Sequence, residues 1–359
     1  MEINPAFWSK KKVLITGHTG FKGSWLALWL ESLGAHVIGY SLEPPTNPNL
    51  FEIAQVDTGI TSLTGDVRDL KDLRSAIDRH QPQIVIHMAA QALVMESYEN
   101  PVETYLTNVM GTVNILEAIS HASSIKVLIN VTSDKCYDNN GQTQGYREDA
   151  PMGGRDPYSS SKGCAELITS AYRNSFFFTP DSTRNVFIAS ARAGNVIGGG
   201  DWAKDRLIPD IMNEFMAARP AFIRNPSFIR PWQHVLDPLS GYLLLAEKLW
   251  LEGDQFAEGW NFGPDDASSK PVSWVVKQLA ELWGHEARWE SSSSPQAHEA
   301  SVLRLDCSKA RTLLGWTSKL NLETALSWTH EWYRAYQKKE NMRECTRAQI
   351  SRYQSMGSA

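Results

Sequence analysis

The segment KKVLITGHTGFKGSWLALWLESLG, residues 11–34, narrows what this chain can fold into more than any other stretch. A short apolar run, KKVLITG (11–17), stops at a glycine. A stretch with helical apolar spacing, SWLALWLESLG (24–34), follows and stops at Gly34. A strand that passes straight into a helix through a tight turn opens a right-handed βαβ unit, and such units build a parallel sheet. The pattern continues. HVIGYS (36–41), ITSLTGD (60–66), QIVIHMAA (83–90), KVLINVTS (126–133) and NVFIASAR (185–192) read as strands, and LKDLRSAIDRH (70–80) and VETYLTNVMGTVNILEAISHA (102–122) as helices. Runs such as VLI and IVI are apolar at every position, as a sheet covered on both faces requires. The expected fold class is α/β, a doubly wound parallel sheet.

After residue 192 the texture changes. GNVIGGGDWAKDRLIP (194–209) is glycine-rich, IMNEFMAARP (211–220) reads as a helix ended by proline, and prolines and tryptophans gather in NPSFIRPWQHVLDP (225–238). DPLSGYLLLAEKLWL (237–251) is an amphipathic helix suited to returning to the first lobe. The expected division assigns residues 1–192 plus about 234–258 to the sheet domain and about 193–233 and 259–340 to a smaller, discontinuous α/β lobe. Residues 341–359 read as a polar tail, mobile in part or locally helical. A formal net charge of −5 without basic runs argues against a nucleic-acid surface. No apolar run approaches membrane-spanning length and the N-terminus has no apolar leader, so no membrane association is expected. Cys136, Cys164, Cys307 and Cys345 show neither CxxC spacing nor a histidine cluster. They read as free thiols of a reducing cytoplasm, and no metal site is expected.

Two motifs carry chemistry. The first is the turn TGHTGFKG (16–23), with Gly17, Gly20 and Gly23. A dinucleotide pyrophosphate needs glycines at such a turn. One makes the bend, one lets the backbone approach the phosphates, and one lets helix pack on strand, with the helix N-terminus facing the anion. His18, Thr19, Phe21 and Lys22 complete the loop. Asp66, with Val67 beside it, ends the third strand where an adenine amino group would be met; the alternative is an ordinary turn cap. Met88, Ala89 and Ala90 in HMAAQ (87–91) are small or slim residues where a cofactor would press on the backbone. The second motif is YSSSK, which puts Tyr158 and Lys162 on one helical face. A phenol, with a pKa near ~10, is a poor base at neutral pH unless cations favour its phenolate. Ser133, in TSDKCYD (132–138), is placed to share a substrate hydroxyl proton. Asp134 and Lys135 then set an acid and an amine side by side. In water the ion pair wins: the neutral acid with a neutral amine lies roughly 9 kcal/mol higher, from reference pKa values.

Taken together these motifs resemble the extended short-chain dehydrogenase/reductase family over nearly the whole chain. The matching pieces are the glycine loop, Asp66, HMAAQ, Asn108 in NVMGT, the Ser133/Tyr158/Lys162 set, ARAGNVIG (191–198), RPWQHVLD (230–237) and WNFG (260–263). Arg192, Asn195, Arg206 and Arg230 fall where that family's sugar-nucleotide branch contacts a pyrophosphate, with Gln91 also toward substrate. Within the branch, 4,6-dehydratases carry two further residues after the hydroxyl residue: Asp-Glu in the dTDP-glucose and GDP-mannose enzymes. The Asp134-Lys135 variant is similar to that of the CDP-glucose 4,6-dehydratases. Arg224 falls where the dTDP enzymes stack a tyrosine on the base, and a guanidinium stacks on a pyrimidine equally well.

The resemblance implies a Rossmann-type sheet domain with a sugar-nucleotide lobe. It also implies a retained NAD and conversion of CDP-D-glucose to CDP-4-dehydro-6-deoxy-D-glucose, feeding deoxysugar or O-antigen synthesis. Tyr158 would deprotonate the C4 hydroxyl, Lys135 remove the C5 proton, and Asp134 protonate the departing C6 hydroxyl. A dTDP- or UDP-sugar dehydratase, an epimerase of the same fold, or a non-catalytic dinucleotide-binding regulator are the alternatives. The second strand ends in Ser41 where NAD enzymes place an aspartate, and no arginine pair for a 2′-phosphate follows. NAD is therefore expected over NADP, held loosely because His18 and Lys22 intrude into the glycine loop. A homodimer, paired further into a tetramer at most, is expected through helices 102–122 and 157–174, with Val102, Leu106, Val113, Ile168 and Tyr172 facing outward.

Overall fold

Alternating apolar side chains on short strands feed two separate cores. In the computed structural model, which describes residues 2–142, 144–177, 186–291 and 303–357, seven strands form one parallel sheet. They are β1 (Lys12–Thr16), β2 (His36–Ser41), β3 (Thr61–Thr64), β4 (Ile84–His87), β5 (Val127–Val131), β6 (Phe187–Ala193) and β7 (Gly259–Phe262). Val13, Ile15, Ile84, Ile86, Val127 and Ile129 point into one core, and Leu14, Val85, Leu128 and Ile188 into the other. The spatial order is β7-β6-β5-β4-β1-β2-β3, all neighbours parallel, which is the Rossmann-type arrangement. The order reverses between β1 and β4, and sheets of this kind bind ligands at the carboxyl ends beside such a reversal.

Helix α1 (Phe21–Ser32) covers the first core, and α2 (Leu70–His80) and α3 (Gly111–His121) the second. α3 continues a helix that starts at Pro101–Tyr105 and widens into a π turn at Leu106–Met110. α4 (Pro157–Tyr172) packs beside it, and α6 (Leu236–Glu252) returns to β5 and β6. α5 (Leu207–Met216), which follows β6, and short strands from before and after β7 build the smaller lobe. Ile229–Pro231 pairs antiparallel with Ser269–Pro271, and Ala221–Ile223 parallel with Trp289–Ser291. Ile211, Met212, Phe215 and Ile223 of that lobe join the same core as Leu239, Leu243 and the sheet, so the two lobes share an interior. Among the described residues no helix is long and apolar enough to cross a membrane.

Two boundaries differ from the sequence expectation. Residues 259–262 were assigned to the smaller lobe, but β7 pairs with β6 from Gly259–Ser190 to Phe262–Ala193 and closes the sheet's edge. The expected tail is a docked helix, α7 (Met342–Ser355), capped by Asn341. Met342, Thr346, Ile350 and Tyr353 recur at helical spacing and are buried. Tyr353 meets the Trp29 ring edge-on at 5.5 Å and donates to Asp237 Oδ1 at 2.9 Å, while Arg343 forks onto Glu31 at 2.6 Å. So few apolar residues in so charged a segment hid the helix. Residues 358 and 359 lie outside the described chain.

Candidate active site

The glycine turn between β1 and α1 has the geometry of an anion cradle. Gly17 takes φ +79°, and a Cβ there would lie 2.8 Å from the Ala89 nitrogen at the end of β4. A Cβ at Gly23 would lie 2.1 Å from the Gly17 carbonyl oxygen. Only glycine permits either approach. Gly20 caps α1 without a side-chain acceptor, and the first turn holds no acidic residue, so its N–H groups are offered to a ligand. These features fit the pyrophosphate of NAD. Thr19 Oγ1 bonds Ser41 Oγ at 2.8 Å and donates to the Leu42 carbonyl at 3.0 Å, tying the loop to the end of β2.

His18 does not intrude into the cradle as expected. Its imidazole lies under the loop against Gly39, where a Cβ would come within 2.3 Å of the ring. Nε2 meets Ser62 Oγ at 2.7 Å, and burial lowers its pKa to about 4. Lys22 does face the site. Nζ donates to the Tyr242 hydroxyl at 3.3 Å, and burial, then the charges of Lys162 and Arg206, lower it to about 7. Phe21 lies beside Gly198.

Along the strand ends, Thr16 Oγ1 accepts the Met88 and Ala89 N–H groups at 3.1 and 3.2 Å, and Ala90 is half-buried at the exit of β4. Val67 packs under Gly111. The hydrogen bonds of Asp66 are those of a turn cap: its carboxylate accepts from Arg68 N at 2.9 Å and Nε at 2.8 Å, and Arg68 also pairs with Glu103. Asn108 is a bracket. Oδ1 accepts from Gln91 N, and Nδ2 donates to the Gln91 carbonyl and to Ser161 Oγ, each at 2.9 Å, joining the loop after β4 to α4. Gln91, expected toward substrate, bonds the helix that starts at Pro101 and its own loop. Its Nε2 donates to Thr104 Oγ1 at 2.9 Å and its Oε1 accepts from Leu93 N.

The catalytic candidates meet where α4 passes the end of β5. Asp156 caps α4 by accepting from Ser159 N at 2.9 Å, and Pro157 fixes the first helical position. Tyr158 therefore lies in the first turn and Lys162 one turn on, both nearly inaccessible, at 8% and 6% exposure. Burial pushes the Tyr158 phenol up to about 12, against the opposing influence of the Ser133 hydroxyl and the Arg206 guanidinium. Burial lowers Lys162 to about 8, and its Nζ donates to the Val131 carbonyl at 3.5 Å. Beyond β5, Ser133 caps a single turn, Asp134–Cys136. Its Oγ accepts from Lys135 N at 3.2 Å and donates to Asp134 Oδ1 at 3.0 Å. Asp134 is 4% exposed, and burial raises its carboxyl although Lys135, Ser133 and Arg230 all oppose this. Lys135 is half-buried.

The arginines divide. Arg192 is a correction: its donors are spent inside the protein on Glu166 (Nε at 2.9 Å, Nη2 at 2.8 Å), the Tyr137 hydroxyl (2.6 Å) and the Glu148 carbonyl (3.0 Å). Arg206 pairs with Asp201 at 3.0 Å and its charge reaches Tyr158 and Lys22. Arg224 pairs with Asp205 at 3.1 Å at the surface of the smaller lobe. Arg230 lies over the Phe228 ring at 5.2 Å, with its charge felt by Asp134. Asn195 is half-buried, its carbonyl accepting from Gln233 N at 3.1 Å. Sequence reasoning missed Arg304. It lines a small hollow with Gly194, Pro231, Gly263 and Ser269, and its Nε is buried with no partner among the described residues. A lone arginine in VLRLD gave no signal. It also missed Glu166, although that residue follows Lys162 by one helical turn.

The family described as GDP-mannose 4,6 dehydratase matches residues 14–329. A CDP-glucose 4,6-dehydratase of Salmonella typhimurium (strain LT2) is 53% identical over 354 residues, covering 98% of this chain and 99% of that one. The fold is that of a Bacillus anthracis dTDP-glucose 4,6-dehydratase solved in complex with NAD (TM-score 0.75, 23% identity, 93% and 99% of the two chains). A Stenotrophomonas maltophila UDP-glucose-4-epimerase with bound NAD and formylated UDP-arabinopyranose is similar (TM-score 0.79, 21% identity, 91% and 99%).

The depressed Lys162 makes a stability prediction. Its folded pKa, about 8, lies below its ordinary 10.5, so the fold carries the cost of a buried ammonium at pH 7. That cost fades as pH rises from about 8 toward 10.5. In cofactor-stripped protein, Lys162→Met is expected to raise unfolding free energy by about 1–3 kcal/mol at pH 7. The gain in urea midpoint should shrink at pH 10. A midpoint lowered at pH 7 contradicts this.

Proposed function

The chain belongs to the GDP-mannose 4,6-dehydratase family, and on that premise we propose that it converts CDP-D-glucose to CDP-4-dehydro-6-deoxy-D-glucose with NAD as a retained cofactor. The near full-length identity to a CDP-glucose enzyme supports the nucleotide. The observation that carries the reaction is the meeting of two sets, the buried Tyr158 and Lys162 from α4 with the buried Ser133 and Asp134 and the half-buried Lys135 from the turn after β5.

Bound NAD would supply the hydride acceptor for C4, the hydride donor for C6 and a cationic ring that would favour a nearby phenolate. Gly17, Gly20, Gly23 and the start of α1 hold its pyrophosphate. Tyr158 takes the C4 hydroxyl proton, with Lys162 and Arg206 supplying positive charge around it. The resulting ketone acidifies C5–H. Lys135 removes that proton, and Asp134, whose carboxyl burial pushes toward the neutral acid, gives its own to the C6 oxygen as the C–O bond breaks and water leaves. Lys135 then returns the proton to C5. The balance leaves Tyr158 one proton richer and Asp134 one poorer. Ser133 Oγ, within hydrogen-bond reach of Tyr158 and 3.0 Å from Asp134 Oδ1, is the route that restores both. Arg206, Arg230 and Arg304 face the diphosphate, and Arg224 the base.

We also infer a homodimer, in a cytoplasm that suits the four free thiols. Val102, Tyr105, Leu106, Met110 and Leu167 form an exposed apolar strip on the adjoining helices, with Val102 68% and Leu167 60% exposed. Ile168 and Tyr172, expected outward, instead pack against the second core.

Incubation with NAD and CDP-glucose is expected to give a product with the alkali-induced absorbance of a 4-ketosugar, and dTDP- or UDP-glucose far less. Product only from another nucleotide overturns the CDP assignment, and product from none overturns the dehydratase reading. Light scattering is expected to give a dimer mass for the native chain and a monomer mass for Leu106→Glu/Leu167→Glu. A monomeric native chain refutes the dimer.

A further inference from the structure

Both ends of the Ser133–Lys135 turn hang on one buried ion pair that the reaction itself does not use. Glu166 and Arg192 are 5% and 4% exposed. A carboxylate offers about four lone-pair positions, and each finds a donor. Oε1 accepts from Thr132 Oγ1 at 2.5 Å and Arg192 Nε at 2.9 Å, and Oε2 from Ser190 Oγ at 2.6 Å and Arg192 Nη2 at 2.8 Å. Burial alone would raise Glu166, yet Arg192 and the two hydroxyls hold it below its ordinary value. Thr132 is the residue immediately before Ser133. On the far side of the turn, Tyr137 accepts from Arg192 Nη1 at 2.6 Å and donates to Asn261 Oδ1 at 2.7 Å. Glu166 belongs to the same helix as Tyr158 and Lys162, two turns beyond Tyr158 and one beyond Lys162, on the face that meets β5 and the turn. The pair therefore fastens the segment bearing the acid and amine to the helix bearing the phenol.

We propose that Glu166 and Thr132 are positioning residues: the Glu166 carboxylate, by holding the Thr132 hydroxyl, sets Asp134 and Lys135 in register with Tyr158. This rests on the dehydratase reading of the turn. Arg192 keeps Glu166 ionised and fixed, so the hook has a rigid base. The Thr132 hydroxyl is the replaceable part, because Glu166 retains its fork to Arg192 and its bond to Ser190 without it.

The test compares Thr132→Val, which keeps shape and loses the hydroxyl, with Thr132→Ser, which keeps the hydroxyl. A displacement of about 1 Å at reacting groups costs up to about 100-fold. Thr132→Val is expected to lower kcat about 10- to 100-fold with KM within about twofold, and Thr132→Ser to restore kcat to within about threefold. Amide hydrogen exchange at Ser133–Cys136, measured on the protein without substrate, is expected to quicken in the valine variant alone. Unchanged kcat in Thr132→Val, or no rescue by serine, overturns the proposal. Should the native chain turn over no CDP-glucose, the function reading fails separately. The amide exchange then decides the positioning claim: faster in valine and native-like in serine upholds it, and no difference overturns it.

Discussion

Exclusion of water from the carboxyl ends of β4 and β5 is the condition on which this site rests. Burial drives four ionisable groups there toward their neutral forms: Tyr158 up to about 12, Lys162 down to about 8, Lys22 to about 7, and Asp134 upward. The juxtaposed acid and amine of TSDKCYD find their explanation in this. In water Asp134 and Lys135 would be an ion pair, favoured by roughly 9 kcal/mol over the neutral acid and neutral amine. Both forms carry no net charge, so desolvation penalises only the ion pair and narrows the gap. Asp134 rises despite Lys135, Ser133 and Arg230, because burial outweighs all three.

The Glu166–Arg192 pair is the counter-example within the same structure. It is as buried as Asp134, yet the glutamate is held below its ordinary pKa. The difference is hydrogen bonding. Glu166 accepts four donors in a bidentate arrangement, whereas Asp134 receives the Ser133 hydroxyl at 3.0 Å and is pressed by the backbone at Gly194, where a Cβ would lie 2.6 Å from Oδ2. Replacing Glu166 alone would leave the Arg192 guanidinium buried without its partner, a change that typically costs several kcal/mol.

Much of this was legible because local rules and global fold agree. The glycines at 17 and 23 are demanded by close approaches of 2.8 and 2.1 Å, and the strands that read as apolar at every position do feed two cores. Tyr158 and Lys162 share a helical face because they stand four residues apart on α4, which Asp156 and Pro157 start. What escaped was decided by tertiary partners. Arg192 sits in a motif that resembles a phosphate contact, but Glu166, distant in sequence, takes its donors. His18 lies beneath the loop because Gly39, a strand away, leaves a hole for its ring. β7 was misplaced because WNFG is short and its partner, β6, lies more than sixty residues earlier.

The central claim is that Asp134 and Lys135 divide an elimination between them, separate from the redox step of Tyr158. Washing C5 hydrogen of CDP-glucose into deuterated solvent, followed by mass spectrometry in Lys135→Met and Asp134→Asn, tests it most directly. Loss of a single general acid or base typically costs about 10²–10⁴-fold. The account requires that Lys135→Met still oxidise C4 but lose C5 exchange. Asp134→Asn should keep C5 exchange while water departs slowly. C5 exchange at the native rate in Lys135→Met would contradict the account and send the search for the base elsewhere, to Tyr158 first.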